Sequence, residues 1–379
     1  MTSNPPPLSL WEKADLIPGP LATLGTVLYT AIAGIFRGES GAKGYGLHIA
    51  NAAFRKLTLR LTARQLQYLS GLTSYVYETN IKKLGFNPET VTLNHGAQGH
   101  WIGNKNAKHV LVYYHGTAPP YSSNYLPYPQ PPTSPKPPRS GGFALACTAG
   151  HITFYNDLIT TLNAEGHDIS IFLLSYTLTP PAVYPTQLRQ AVEALRYILS
   201  TDRPASNVIV GGDSAGGNLA LAVLLHLSHP HPEIEPLYDV APLAGLFAWA
   251  PWASFSHAGT SMRENQHKDM IGNEILDRWS KAYLGGDGKE GDAWSQPAKA
   301  PMEWWKGAKV EEVLFLAGRD EVLFDVIDGF VKRFKSVVPN TTYVVGHGET
   351  HVAPIYCGSF IGKDTQQGSG LREWLRSRL

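Results

Sequence analysis

Ser214 lies in the run Gly211-Gly212-Asp213-Ser214-Ala215-Gly216-Gly217-Asn218. The apolar stretch 207–210 (NVIV) precedes it, and an alanine- and leucine-rich stretch at 217–227 follows. A serine between a strand and a helix, with glycine two residues before and two after, fits a nucleophile elbow. The sharp turn projects the hydroxyl, and small neighbours let strand and helix approach closely. The Ala215 N–H at the helix start can then stabilise an oxyanion. The chemistry this implies is attack on a carbonyl with transfer of an acyl group.

A serine nucleophile needs a base, and the base needs an acid to orient it. The acid is expected after a strand downstream of the serine. The run 314–320 (LFLAGRD) supplies Asp320 there, with Glu321 as a rival; Asp325 and Asp328 are expected to face solvent on the following helix. The base is expected further on, in 344–354 (VVGHGETHVAP), where His351 is favoured over His347. His226, His229 and His231 have metal-like spacing but read as a solvated Pro-rich loop without a cysteine nearby. The expected triad is Ser214, Asp320 and His351, with no metal and no organic cofactor.

Stepping outward, the elements that must hold these residues alternate. Apolar runs at 110–114, 169–174, 207–210, 246–250, 313–317 and 342–345 read as strands, and 185–200 and 217–227 as helices. Alternation of this kind implies an α/β fold with a parallel sheet covered on both faces. Residues 8–80 read as mostly helical. The organisation expected is an N-terminal helical segment over residues 1–90, contributing to a cap, and a catalytic domain over 91–379. Residues 117–140 (TAPPYSSNYLPYPQPPTSPKPPRS) break the pattern with nine prolines, which exclude a regular helix or a central strand.

Composition bounds the partners. The 379 residues hold 32 Lys and Arg against 31 Asp and Glu, so a net charge of +1 gives no general attraction for nucleic acid. Two cysteines, Cys147 and Cys357, cannot build a disulfide framework and read as reduced, buried thiols. Residues 16–36 (LIPGPLATLGTVLYTAIAGIF) carry no charge, but Pro18, Gly19 and Pro20 break the start. Glu12, Lys13 and Asp15 before them do not form the basic start of a secretory leader. The expectation is an intracellular, cytoplasmic chain with residues 16–36 packed on the body; peripheral contact with a membrane, such as the endoplasmic reticulum, stays open. Trp11, Tyr29, Phe36, Phe54, Tyr68, Tyr75 and Tyr77 are expected mostly in the core, with some lining a pocket.

The sequence resembles the hormone-sensitive-lipase-like branch of the α/β-hydrolase superfamily, and within it fungal steryl acetyl hydrolases and arylacetamide deacetylases. Beyond the elbow, the resemblance rests on 175–185 (SYTLTPPAVYP), Ala250-Pro251-Trp252 and Gly348-Glu349-Thr350-His351. It implies a mostly parallel central sheet flanked by helices, a helical cap, and cofactor-free hydrolysis of a carboxylic ester. The branch carries His-Gly-Gly-Gly after its third strand to bind the oxyanion. Here His115-Gly116 is followed by Thr117, and Gly141-Gly142-Phe143 appears only after the Pro-rich run. Removing 117–140 restores His-Gly-Gly-Gly-Phe, so the segment reads as an insertion in the oxyanion loop, either a native loop or a translated intron. Gly116, Gly141, Gly142 and Ala215 are the oxyanion candidates.

The resemblance implies a short, acetyl-like acyl group on a bulky hydrophobic small molecule, such as a sterol or a product of secondary metabolism. Two other classes remain open at this level. One is a non-hydrolytic cyclase, isomerase or ligand binder on the same fold; the other is a scaffold acting through the Pro-rich loop.

Overall fold

The computed structural model describes residues 7–116, 142–356 and 365–379. Its centre is an eight-stranded sheet built from the apolar runs of the sequence. The strands are β1 (Glu89–Thr92), β2 (Gln98–Ile102), β3 (His109–Tyr114), β4 (Ile169–Ser175), β5 (Val208–Asp213), β6 (Gly245–Trp249), β7 (Val313–Gly318) and β8 (Thr341–Gly346). Their order is β1-β2-β4-β3-β5-β6-β7-β8. β3 through β8 are mutually parallel, whereas β2 runs antiparallel to β4 and to β1. Strands buried on both faces read as unbroken apolar runs, which is why β3 through β7 are visible in the sequence; β8, a half-buried edge, shows through its Tyr-Val-Val run. β1 (ETVT) is an exposed edge without an apolar run, so neither it nor its partner β2 is anticipated.

The helices are α1 (Leu10–Ala14), α2 (Pro18–Ala33), α3 (Tyr45–Arg60), α4 (Ala63–Ser70), α5 (Thr73–Lys83), α6 (Ala149–Ala164), α7 (Thr186–Leu199), α8 (Ala215–Ser228), α9 (Ser261–Glu264), α10 (Asn273–Leu284), α11 (Phe324–Lys335), α12 (Ala353–Tyr356) and α13 (Gln366–Arg376). Alternate strand residues serve opposite layers. Val110, Val112 and Tyr114 pack with α7, α8 and α11. Leu111 and Tyr113 pack with α5, α6 and α13.

The N-terminal helices join the body from the side of the strands' carboxyl ends. Asn51 Nδ2 donates to the Lys268 carbonyl at 2.7 Å, and the Arg55 guanidinium donates to the Asp269 carbonyl. α2 lies along α3. The expectation of a buried aromatic set holds for Phe54 and Tyr77 and fails for Trp11, Tyr29, Phe36 and Tyr75, which are exposed. Trp11 lies on α1, Tyr29 on α2 and Phe36 in the turn that follows, and α2 has α3 along one side. Cys147 is buried; Cys357 lies outside the described residues.

Candidate active site

Ser214 occupies the joint between β5 and α8 with φ 53° and ψ −115°, a conformation that side chains rarely adopt. Its N–H donates to the Trp249 carbonyl at 2.8 Å, and its own carbonyl accepts from Trp252 N at 3.0 Å. The end of β6 and the residues just after it thus hold the turn at both its N–H and its carbonyl. The two flanking glycines are sterically required. A Cβ on Gly216 would overlap the Tyr114 carbonyl oxygen, and one on Gly212 would overlap the Gly216 backbone. The elbow read from the sequence is therefore present. Ala215 is the first residue of α8, where N–H groups have no acceptor within the helix.

His351 follows β8 in a loop whose next residue, Val352, is also strained at φ 46°. The ring is 2% exposed. Its Nδ1 donates to Glu321 Oε2 at 2.7 Å, while its Nε2 has no hydrogen-bond partner among the described residues. Burial pushes the imidazole pKa down. That is the largest single influence, but the Glu321 hydrogen bond and the charges of Glu321, Asp269 and Asp213 together exceed it and hold the ring above its ordinary value. A neutral imidazole with one nitrogen fixed by a carboxylate and the other open is arranged to accept a proton.

The expected acid, Asp320, does not reach this histidine. Its carboxylate lies 3.6 Å from Lys268 Nζ near the surface. The turn after β7 directs the next side chain inward instead. Glu321 is fully buried, and its Oε1 accepts from Gly318 N at 2.8 Å while Oε2 holds His351. The rival that the sequence ranked lower thus occupies the orienting position. Asp325 also departs from its expectation. It is half-buried and accepts from Thr260 Oγ1 and Ser261 N, both at 2.9 Å, while Asp328 pairs with Lys332 at 2.7 Å. His347 is exposed.

Gly116 is the second correction. A Cβ on it would come 2.8 Å from the Ser214 Cβ, so it does lie against the nucleophile. Its N–H, however, donates to Asp213 Oδ1 at 2.8 Å and is already committed. Gly142 is buried against Trp252 and Trp279. Gly141 and the 117–140 segment lie outside the described residues.

Two carboxylates that sequence reasoning missed support this edge. Asp213, read only as part of the elbow, is fully buried and accepts from the Gly116 N–H, the Tyr356 hydroxyl at 2.6 Å and the Tyr113 hydroxyl. His151 Nε2 lies 3.5 Å away. Burial alone would raise its pKa, but His151 and the two hydroxyls hold it below the usual carboxylate range. Asp269 carried no signal at all. It accepts from Val322 N at 2.8 Å, Met270 N at 2.7 Å and His351 N at 3.3 Å, tying the Glu321 and His351 loops together. Burial raises its pKa to about 6.

The histidine cluster is not a solvated loop. His226 is buried on α8, and His231 is buried with its N–H donating to His226 Nδ1 at 3.0 Å. His226 Nε2 is also bonded to the Glu235 carbonyl, so these rings clamp a connection.

Comparison with known proteins identifies the fold. A family model described as the alpha/beta hydrolase fold matches residues 139–355. The chain belongs to the α/β-hydrolase fold family. The match takes in Ser214, Glu321 and His351 and begins at the end of the Pro-rich segment. Among relatives of this α/β-hydrolase chain, a putative steryl acetyl hydrolase of Schizosaccharomyces pombe is 28% identical over 59% of the chain and 57% of its own length. An esterase of Acinetobacter venetianus is 27% identical over 46% of the chain and 54% of its own length. Steryl acetyl hydrolase 1 of Saccharomyces cerevisiae is 30% identical over 36% and 30%. The chain thus spans about half the length, or less, of these relatives. Among solved structures, an esterase/lipase from an uncultured bacterium shares the fold with a TM-score of 0.58 and 21% identity, covering 79% of this chain and 89% of that one. A thermostable esterase from Pseudomonas putida does so at 0.57 and 18%, over 77% and 80%.

Proposed function

We propose that this α/β-hydrolase is a carboxylic ester hydrolase in which Ser214 is the nucleophile, His351 the general base and Glu321 the orienting acid. The observation that carries this reading is the histidine. Its Nδ1 is held by a buried carboxylate while its Nε2 is left unpartnered, at the same sheet edge as a serine on a strained elbow. Ser214 Oγ attacks the ester carbonyl as His351 Nε2 takes its proton. The tetrahedral oxyanion is met by the Ala215 N–H. The alcohol leaves with the proton from His351, and a water activated by the same nitrogen cleaves the acyl-enzyme to release the acid.

The substrate reading is a short acyl group on a bulky hydrophobic alcohol. Large buried side chains fill the space beside the elbow. Trp252, 3% exposed, follows β6 with its backbone N–H on the Ser214 carbonyl, Phe143 stacks on Tyr283 with ring centroids 3.7 Å apart, and Gly142 leaves no gap against Trp252 and Trp279. Relatives named steryl acetyl hydrolase point to the same class. A second reading, a non-hydrolytic cyclase or isomerase, draws on the commitment of the Gly116 N–H to Asp213, because one lost oxyanion donor costs about 10²–10³ in turnover.

The test is a p-nitrophenyl ester series from acetate to decanoate, with wild type, Ser214→Ala and a 117–140 deletion side by side. Acetate hydrolysis by wild type, abolished by Ser214→Ala and falling with chain length, is the expected result. Activity in the deletion variant alone would assign the loss to the oxyanion loop. Folded protein that labels with a fluorophosphonate yet hydrolyses no member of the series would favour the second reading.

A further inference from the structure

We propose that α2 docks this protein onto a lipid bilayer, lying in the plane of the interface with an apolar stripe immersed. The inference does not depend on the hydrolase reading. It starts from an inversion of the usual pattern. The residues α2 turns inward are Gly19, Thr23 and Thr30, followed by Gly34 just beyond its end. The residues it turns outward are its large apolar ones. Leu21, Leu24, Leu28, Ile32 and Ile35 follow one another at helical spacing and are 53–71% exposed. A surface helix of a water-soluble protein buries its apolar stripe and exposes polar groups. A helix facing lipid does the opposite and puts small residues against its protein neighbour.

The stripe has no polar interruption. Every exposed residue from Ile17 to Phe36 is aliphatic, aromatic, proline or glycine, and no charge falls between residues 16 and 36. A protein partner would leave a polar rim and hydrogen-bonding groups in such a surface; between Ile17 and Phe36 the Tyr29 hydroxyl is the one exposed side-chain polar group. The aromatics Trp11, Tyr29 and Phe36 are 72–86% exposed, and such rings favour the level of lipid headgroups.

The polar groups of the helix are prepared for a dry setting. Thr23 Oγ1 donates to the Gly19 carbonyl at 3.1 Å, and Thr26 Oγ1 to that of Ala22 at 3.2 Å. At the C-terminal end, where carbonyls lack helical donors, Arg37 covers the Gly34 carbonyl at 2.9 Å and the Tyr45 hydroxyl covers that of Ala31.

Docking rather than spanning follows from how α2 is held. Its inner side lies along α3, which is itself bonded to residues 268 and 269 beside the His351 and Glu321 loops. Residues 10–36 are long and apolar enough to cross a bilayer, but the inner side of α2 is taken up by α3, so only its outer stripe is free to meet lipid. The stripe therefore places the catalytic edge of the sheet toward the membrane.

Flotation with vesicles of pure phosphatidylcholine tests this. Full-length protein should rise with the vesicles, equally well in low salt and 0.5 M NaCl, because no charge takes part. A Leu24→Glu/Leu28→Glu/Ile32→Glu variant should lose at least ~100-fold in partitioning while keeping its melting temperature, since these side chains are outside the core. Should that variant fail to fold, Gly25→Cys in a Cys357→Ser background gives a second readout. A Cβ at Gly25 meets nothing within 4 Å, and a polarity-sensitive dye there should shift to the blue on vesicles. Wild type left at the bottom of the gradient, a triple variant that still floats, or a dye that does not shift would overturn the proposal. So would a lipid-free dimer dispersed by the triple substitution without any flotation, which would give the stripe to a second copy of the chain.

Discussion

α2 and α8 are both uncharged helices rich in alanine and leucine, and they meet opposite fates. α8 (AGGNLALAVLLHLS) is buried along its length apart from Ser228, clasped between β3, β5, β6 and α7. α2 (PGPLATLGTVLYTAIA) buries three small or hydroxyl-bearing residues and leaves its leucines outside. The difference teaches that apolarity says a helix will leave water but not what will cover it. α8 is covered because its N-terminus is fixed to a central strand, where glycines allow close approach. α2 has only one helix beneath it.

The sharpest way to break the comparison is at the N-terminus of α8. Ser214→Ala should reduce ester turnover at least ~10⁴-fold and leave vesicle flotation unchanged, which would separate the catalytic helix from the docking helix. A variant that loses both would show that the two regions are not independent.

Glu321→Gln tests what positions the partner of that serine. It should lower kcat by roughly 10²–10⁴-fold, whereas Asp320→Asn should stay within about threefold, because that carboxylate only pairs with Lys268 near the surface. A pH profile adds a sign. The base must be neutral to act, and Glu321 holds His351 above its ordinary value of 6.5, so the acid limb of kcat/KM should lie above pH 6.5. In Glu321→Gln the supporting charge is gone and the limb should move to lower pH. Equal losses in both carboxylate variants would return the role to Asp320.

Asp269→Asn carries a smaller effect. It keeps one acceptor oxygen but weakens the tie between the Glu321 and His351 loops, and should lower kcat by about tenfold with KM little changed. An unchanged kcat would reduce Asp269 to a packing role.

The same truncation in both helices gives the smallest numbers and the cleanest contrast. Leu224→Ala in α8 should cost about 2–5 kcal/mol in urea unfolding, the usual range for a buried leucine. Leu28→Ala in α2 should change stability by less than about 0.5 kcal/mol in the absence of lipid. A large loss at Leu28 would mean that its face is covered within the protein.

Much of the site was legible where local chemistry decides structure. The glycines around Ser214 are fixed by sterics within one turn, so their spacing carried the elbow, and the unbroken apolar runs carried β3 through β8. The choice between Asp320 and Glu321 was not legible. Adjacent residues after a strand differ in facing, and which one turns inward depends on a turn closed by Gly318 and by the Glu349 carbonyl from another loop. Asp269 is distant in the chain from everything it holds, and the use of the Gly116 N–H depends on Asp213 reaching across from β5.

The sequence by itself marked Ser214 and His351 as the candidate nucleophile and base and determined the layered α/β order, because periodicity and steric necessity are local. Only the tertiary structure decided which carboxylate orients the histidine, which amide is spent on Asp213 and which of two apolar helices faces outward. Each of those depends on what packs against a side chain, and burial is set by neighbours far away in the chain.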